Sequence, residues 1–239
     1  MYDPSIYYGI GFAAFVVTGA VTVSLVNVVR LRRRRERLRQ WAMQHGYDFR
    51  AERIPARQLA PMAYLTASRH VPFVNARNVM RRSRLALFDL IRGEKTLTGR
   101  ASQVRRATCA LFALDKPLPT FSFTAFTAEP KLDGVLEMAR QLAVPEMLPI
   151  DGRPGFFVRS QDVARVQPLF AGGRAQFFDD KIGWSAEAED SWLLIRSGYL
   201  GPAFRWLPLP YVSENDYERF ISIAQSIHDY FVPASFVEG

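Results

Sequence analysis

The sequence predicts an α+β protein in which an N-terminal transmembrane helix, extended by a basic helix, precedes one globular domain with a largely antiparallel sheet and packed helices. Three observations carry that expectation. Residues 6–29 contain no charged side chain, and residues 30–39 then hold seven arginines against one glutamate. Beyond residue 46, runs with strand-like alternation are interrupted by a helical-period run, resume, and end in an amphipathic helix.

As a helix, 24 residues extend about 36 Å, enough to cross a hydrocarbon core of about 30 Å with some tilt. Tyr7 and Tyr8 stand at the outer end, where an interfacial aromatic belt is expected. A cleavable signal peptide is disfavoured, because no basic segment precedes the run, the run is too long, and arginines replace a small-residue cleavage site. Only Asp3 is charged on the N-terminal side, so the positive-inside rule places residues 1–5 outside and residues 30–239 in the cytoplasm. Gly9, Ala13, Ala20, Ser24 and Asn27 fall within about 60° of one another on a helical projection. They form a candidate pairing face for a homo-oligomer, although small residues are also common in membrane helices that pair with nothing.

Of the formal charge of +8, residues 30–39 supply seven arginines against one glutamate and Asp3 subtracts one, which leaves +3 for residues 40–239. Basicity is therefore local, and it lies where anionic headgroups would be. Arg30, Arg32, Arg33, Arg34 and Arg35 are the candidate lipid contacts. Nucleic acid is the competing polyanion, but arginines directly beside a span meet headgroups first. The basic helix is expected to cover residues 30–45 and to end where Gly46 offers a left-handed position. Leu31, Leu38, Trp41, Ala42 and His45 share one of its faces, and that stripe should dock onto the domain formed by residues 46–239.

Within the domain, residues 55–65 read as a short helix disturbed by Pro61. Residues 73–80 and 85–92 read as a hairpin around the polar residues 81–84, with the second strand apolar on both faces. Residues 93–102 form a polar loop, and residues 103–114 and 120–128 complete a four-strand antiparallel meander. A helix follows over residues 130–145 and a Pro- and Gly-rich loop to residue 155. Next come a short strand at 156–159 and a helix capped by Ser160 that runs to Phe170 before Gly172 and Gly173. Residues 182–188 and 192–196 make a second hairpin, with Ser185, Glu187 and Glu189 on its solvent face. Three prolines break residues 198–210. The last helix begins at a capping box of Ser213 and Asp216 and presents Tyr217, Phe220, Ile221, Ala224, Ile227 and Phe231 on one face.

Chemistry-bearing residues are sparse and scattered. His45, His70 and His228 have no partner at metal-ligand spacing, so no metal site is expected. His228 falls on an apolar helix face, where a core histidine with one hydrogen bond is the commoner outcome and a buried base the rarer one. Cys109 is the only cysteine and lies mid-strand, where a thiol is usually inert; Arg105 and Arg106 are its nearby cations. The acid pairs Asp179/Asp180 and Glu187/Glu189 read as surface rather than as an acid–base pair. No GxSxG, GxxxxGK[ST] or GxGxxG motif accompanies the glycines, so no catalytic residue and no cofactor is expected. A non-enzymatic interaction or assembly protein, with an unidentified protein partner, is the first expectation. A membrane-anchored, hydrolase-like enzyme using His228 or the acid pairs is the alternative.

The order of a short acidic tail, one uncharged stretch, an arginine-rich stop and Trp41-Ala42-x-x-x-Gly46-Tyr47 carries a resemblance. So do Asn78-Val79, Phe88-Asp89, Leu118-Pro119-x-Phe121, Glu129-Pro130 and Trp184-x-x-Glu187. On these residues the chain resembles a group of single-span bacterial membrane proteins with a cytoplasmic α+β domain and no known activity. The resemblance implies a bacterial inner membrane and supplies no site residue.

Overall fold

The computed structural model describes residues 4–68, 71–95, 102–125, 147–149, 156–181, 183–197 and 211–232. Its first element, α1 (Pro4–Gln44), is a single helix of 41 residues, about 60 Å long. Its side chains are described at Thr18, Thr22, Leu25 and Val26, and from Val28 onward. Of the described residues, no helix is both long and apolar enough to cross a membrane. Most side chains of the expected span, 6–29, lie outside that set, as do those of the pairing face Gly9, Ala13, Ala20, Ser24 and Asn27.

The helix stops as its sequence predicts. Gly46 takes φ +71°, Tyr47 N donates to Ala42 O at 2.8 Å and Gly46 N to Met43 O at 3.4 Å, the paired bonds of a Schellman terminus. Trp41 and Tyr47 pack at 5.5 Å between ring centroids, closing the turn with an apolar contact.

Among the described residues the sheet has ten strands: β1 (Asp48–Arg50), β2 (Ile54–Pro55), β3 (Phe73–Arg82), β4 (Leu85–Lys95), β5 (Ser102–Ala113), β6 (Phe121–Ala125), β7 (Met147–Pro149), β8 (Phe156–Arg159), β9 (Trp184–Glu189) and β10 (Trp192–Ser197). The order is β1-β3-β4-β5-β10-β9-β6-β8-β7, with β2 also on β3, and the pairings are antiparallel. The α+β class and the antiparallel sheet are thus as expected. The meander holds for β3, β4 and β5 but not for its fourth strand, because the β9–β10 hairpin separates β6 from β5. The reason lies in β10. Leu193, Leu194 and Ile195 are all fully buried, so this strand carries apolar side chains on both faces and belongs at the interior of the sheet.

Two cores result, one on each face. Leu87, Ala110, Phe112, Leu193 and Ile195 face α1, α2 (Val163–Phe170) and α3 (Tyr217–Phe231); Phe88, Leu90, Cys109, Leu111 and Leu194 face residues 54–71. Tyr217, Phe220, Ala224, Ile227 and Phe231 of α3 are buried, and Leu38 and Ala42 of α1 join the same core with no exposure at all. The docking stripe of the basic helix is therefore present.

Three local expectations are corrected. Residues 55–65 form no α-helix; two 3-10 turns, Ala56–Gln58 and Ala63–Leu65, flank Pro61, which has no N–H to donate. Asp162, not Ser160, caps α2 by accepting from Arg165 N, while Ser160 Oγ donates to Thr120 O at 2.7 Å and accepts from Asp162 N. In front of α3 the Ser213 hydroxyl donates to the Asp216 carboxylate at 2.6 Å, and no side chain caps the helix. The helix expected over 130–145, the loop to residue 155 apart from β7, the end of the strand at 126–128, residues 198–210 and His70 lie outside the described residues.

Candidate functional site

Among the described residues, four of the buried polar side chains, Arg34, Asn78, Asp89 and Thr108, gather at the junction of α1 with the sheet. β3 and β4 place Arg77 opposite Asp89, and a bulge in β3 between Arg77 and Met80 puts Asn78 at φ +50°. Asn78 Nδ2 donates to Asp89 Oδ2 at 2.9 Å, and Thr108 Oγ1 of β5 lies 3.4 Å from Asp89 Oδ1 while accepting from Val212 N at 3.0 Å. Into this cradle α1 inserts Arg34. Its Nε and Nη2 hold the two Asp89 oxygens at 3.1 and 2.9 Å, and Nη1 donates to Val212 O. The pair is bidentate, Asp89 is fully buried, and Arg34 is 9% exposed. Arg34 and Arg77 also stand over the Tyr211 ring, 5.2 and 5.0 Å from its centroid, and burial pushes the Tyr211 phenol up to about 12.

This geometry corrects one expectation. Arg34 is no headgroup contact, because its guanidinium is committed inward to Asp89 and Val212. Arg30, Arg32, Arg33 and Arg35 are exposed and form a basic collar where α1 meets the body. N-terminal to them Leu25, Val26, Val28 and Val29 are exposed to 60, 42, 47 and 46%.

The opposite face carries a second charged cluster. Arg196 Nη2 holds Glu187 Oε1 at 2.9 Å and Nη1 donates to the Tyr64 hydroxyl. The Tyr64 ring lies between Arg92 and Arg196, each 4.1 Å from its centroid. Burial pushes the Glu187 carboxyl up from its ordinary range, opposed by Arg196 and by a hydrogen bond from Ser122. Glu189 accepts from Ala63 N at 2.6 Å. Glu187 and Glu189 thus do not form a solvent face as expected; they hold the 54–71 segment against the sheet.

The residues that could have made an enzyme are kept apart. Cys109 is fully buried beside Phe88 and Leu111, and burial raises its thiol far above the ordinary range. His228 lies across the sheet from it, its ring tilted against Phe112 at 4.6 Å between centroids, with Nδ1 2.8 Å from Oδ1 of its neighbour Asp229. His45 stacks on Trp41 at 4.1 Å. Asp180 pairs with Lys181 at 2.7 Å. A cleft at the β3–β4 turn, lined by Leu59, Arg81, Arg84 and Trp192 among others, gathers no acid, histidine or cysteine. Among the described residues no three His, Cys, Asp or Glu side chains come together as a metal site would require.

No family model matches the chain, and no curated protein matches it. A solved structure similar to it is that of the mycobacterial trehalose monomycolate transport factor A, TtfA, at 16% identity over 84% of this chain and 93% of that one, with a TM-score of 0.48. At that distance no role passes from one protein to the other.

Two signals for the junction were present in the sequence. Arg34 falls on the stripe of Leu31, Leu38, Trp41, Ala42 and His45, at spacings of three, four, seven, eight and eleven. Asp89 is a lone carboxylate between Leu87, Phe88, Leu90 and Ile91, and a charge inside a strand apolar on both faces requires a buried partner.

Proposed function

We propose that the protein is a membrane-tethered cytoplasmic domain that serves an interaction or assembly role rather than catalysis. The observation that carries this reading is the course of α1. One unbroken helix runs from the uncharged stretch 6–29, through the arginine collar, into the core of the domain. The uncharged stretch has the length and composition of a span, and the collar supplies the cytoplasmic stop. Leu25, Val26, Val28 and Val29 are exposed, as lipid-facing side chains would be. Arg30, Arg32, Arg33 and Arg35 meet anionic headgroups, and the small-residue face of the span is available to a second copy. A bacterial inner membrane is the setting that the sequence resemblance implies.

The collar leaves almost no linker. Arg34, anchored in the sheet, follows Val29 by five residues, about 7.5 Å of helix. A body held that close to a bilayer is positioned to present one fixed face to a partner in the same membrane or just beneath it. Topology is the test. In a Cys109→Ala background, Ser5→Cys should react with an impermeant maleimide on intact cells, whereas a cysteine at Gly239 should react only after lysis. Labelling of the C-terminal site on intact cells would refute the orientation.

A further inference from the structure

We propose that the cleft at the β3–β4 turn is a docking site for an acidic peptide segment of a cytosolic partner, which seats one large apolar side chain on its floor. The proposal deepens the interaction role above and rests on it.

The cleft lies on the face of the sheet that residues 54–71 cover, and Leu59 is the residue by which that layer borders it. Leu59, Ala86, Leu111 and Trp192 make an apolar floor, with Ala86 and Trp192 only half-buried. Register explains the grouping. Ala86 pairs with Leu111, and Trp192 pairs with Ala113 two residues further along β5, so these side chains share one face. Arg81 pairs with Ala86 and stands on that face too. The cleft holds about 120 Å³. Small-molecule and cofactor sites typically measure about 300–1,000 Å³, whereas a cavity of about 150 Å³ accommodates a benzene ring. The space is therefore too small for a nucleotide and suits one phenylalanine or leucine side chain.

Two exposed cations, Arg81 and Arg84, stand at the rim, and no acid lines the cleft. Asp48, the register partner of Arg81, lies 3.9 Å from Arg50 instead, and Arg84 pairs with Asp115 in a contact exposed on both sides. Such a surface pair exchanges readily for another carboxylate. The rim is also pre-formed, because Ser83 and Arg84 make a two-residue turn and Ala113 N donates to Arg84 O at 2.9 Å. An apolar socket beside two guanidinium groups is complementary to an apolar residue flanked by acids.

Position decides where those acids come from. Arg82 Nη1 donates to His45 O at 3.2 Å, which places the turn level with the end of α1. His45 follows Val29 by sixteen residues, about 24 Å of helix, or three times the Debye length of about 8 Å at physiological salt. Anionic headgroups are out of reach there, and a cytosolic segment is not. A nucleic acid calls for a basic track with successive stacking rings, and the cleft offers one tryptophan and two arginines.

The test uses the full chain in detergent and a fluorescein-labelled acidic pentapeptide with phenylalanine at its centre. Binding should be about tenfold weaker in Arg81→Gln/Arg84→Gln. It should be unchanged in Arg165→Gln/Arg219→Gln, which removes the same charge from exposed positions on the helices of the opposite face. Alanine in place of the phenylalanine should weaken binding by a similar factor. Equal binding of the alanine peptide would overturn the role of the floor, and tighter binding of single-stranded DNA on the same two arginines would overturn the assignment to peptide. No binding at about 1 mM peptide would overturn the site. Proteins crosslinked to the chain in intact cells separate that failure from failure of the interaction role. Loss of a crosslinked protein in Arg81→Gln/Arg84→Gln is expected; equal recovery with the native chain would overturn the cleft alone, and recovery with neither would overturn the role and the cleft together.

Discussion

On the helix-covered face of the sheet Arg34 reaches Asp89 across 55 residues of chain; on the opposite face Arg196 reaches Glu187 across nine. Both pairs are buried arginine–carboxylate contacts, yet they join different things. Arg196 and Glu187 lie on adjacent strands of one hairpin, where the backbone ladder already holds them near each other. Arg34 and Asp89 lie on elements with no ladder between them, so their pair fixes how the emerging helix sits on the domain. The environments differ too. Asp89 receives Arg34, Asn78 and Thr108, while Glu187 receives Arg196 and Ser122, and burial outweighs them and pushes its carboxyl up. The comparison teaches that equal distances do not make equal interactions; what each pair connects, and how fully its oxygens are satisfied, decides its consequence.

The largest expected effect follows from removing one member of the junction. Asp89→Ala leaves the Arg34 guanidinium without its counter-charge in the core, and breaking a buried pair in this way costs about 3–5 kcal/mol. Urea unfolding of the detergent-solubilised full chain would measure it. Replacing both partners, Arg34→Met with Asp89→Leu, should recover most of that loss, because no charge is then stranded. A double variant as unstable as Asp89→Ala would mean that the pair stabilises the fold outright, beyond compensating its own burial.

The second effect separates the pairs by pH. The folded-state pKa of Glu187 lies above its ordinary value of 4.5, so its favourable contribution is complete below about pH 4.5 and is lost as pH rises through the higher folded value. Glu187→Gln does not titrate. The stability of the native chain relative to that variant should therefore be greatest in acid and should decline as pH rises past 4.5. An increase over the same window would show that Arg196 outweighs burial at this site.

How much of this was legible in the sequence depended on the range of the interaction that decides each feature. The Gly46 terminus, the buried face of α3 and the first three-strand meander follow from local patterns of capping, period and turn, and those were readable. The place of β6 was not, because strand order depends on which strands compete for the interior; the uninterrupted apolar run Leu193-Leu194-Ile195 was the clue that β10 would win. Alternation on β9 correctly put Glu187 and Glu189 on one face, but the pattern cannot say that a second layer, residues 54–71, covers it. Arg34 was hidden among its neighbours by identity and exposed only by phase, since the arginine nearest the centre of the stripe of Leu31, Leu38, Trp41, Ala42 and His45 is the one that turns inward.

The smallest effect tests how the second cluster is held. Tyr64 contributes in two ways: its ring lies between the Arg92 and Arg196 guanidinium groups, and its hydroxyl accepts from Arg196. Tyr64→Phe keeps the ring and removes the hydroxyl, so it should cost only the net value of one hydrogen bond to a charged group, about 1.5–3 kcal/mol, at the lower end because Glu187 still holds Arg196. Tyr64→Leu removes the stacked ring as well, and each guanidinium–ring contact is worth about 0.5–2 kcal/mol. If the ring matters more, the leucine variant will unfold at clearly lower urea than the phenylalanine variant. Equal midpoints would assign the whole contribution to the hydroxyl, and the two arginines would then be held by Glu187 and the Tyr64 carbonyl, which accepts from Arg92 Nη1 at 3.0 Å.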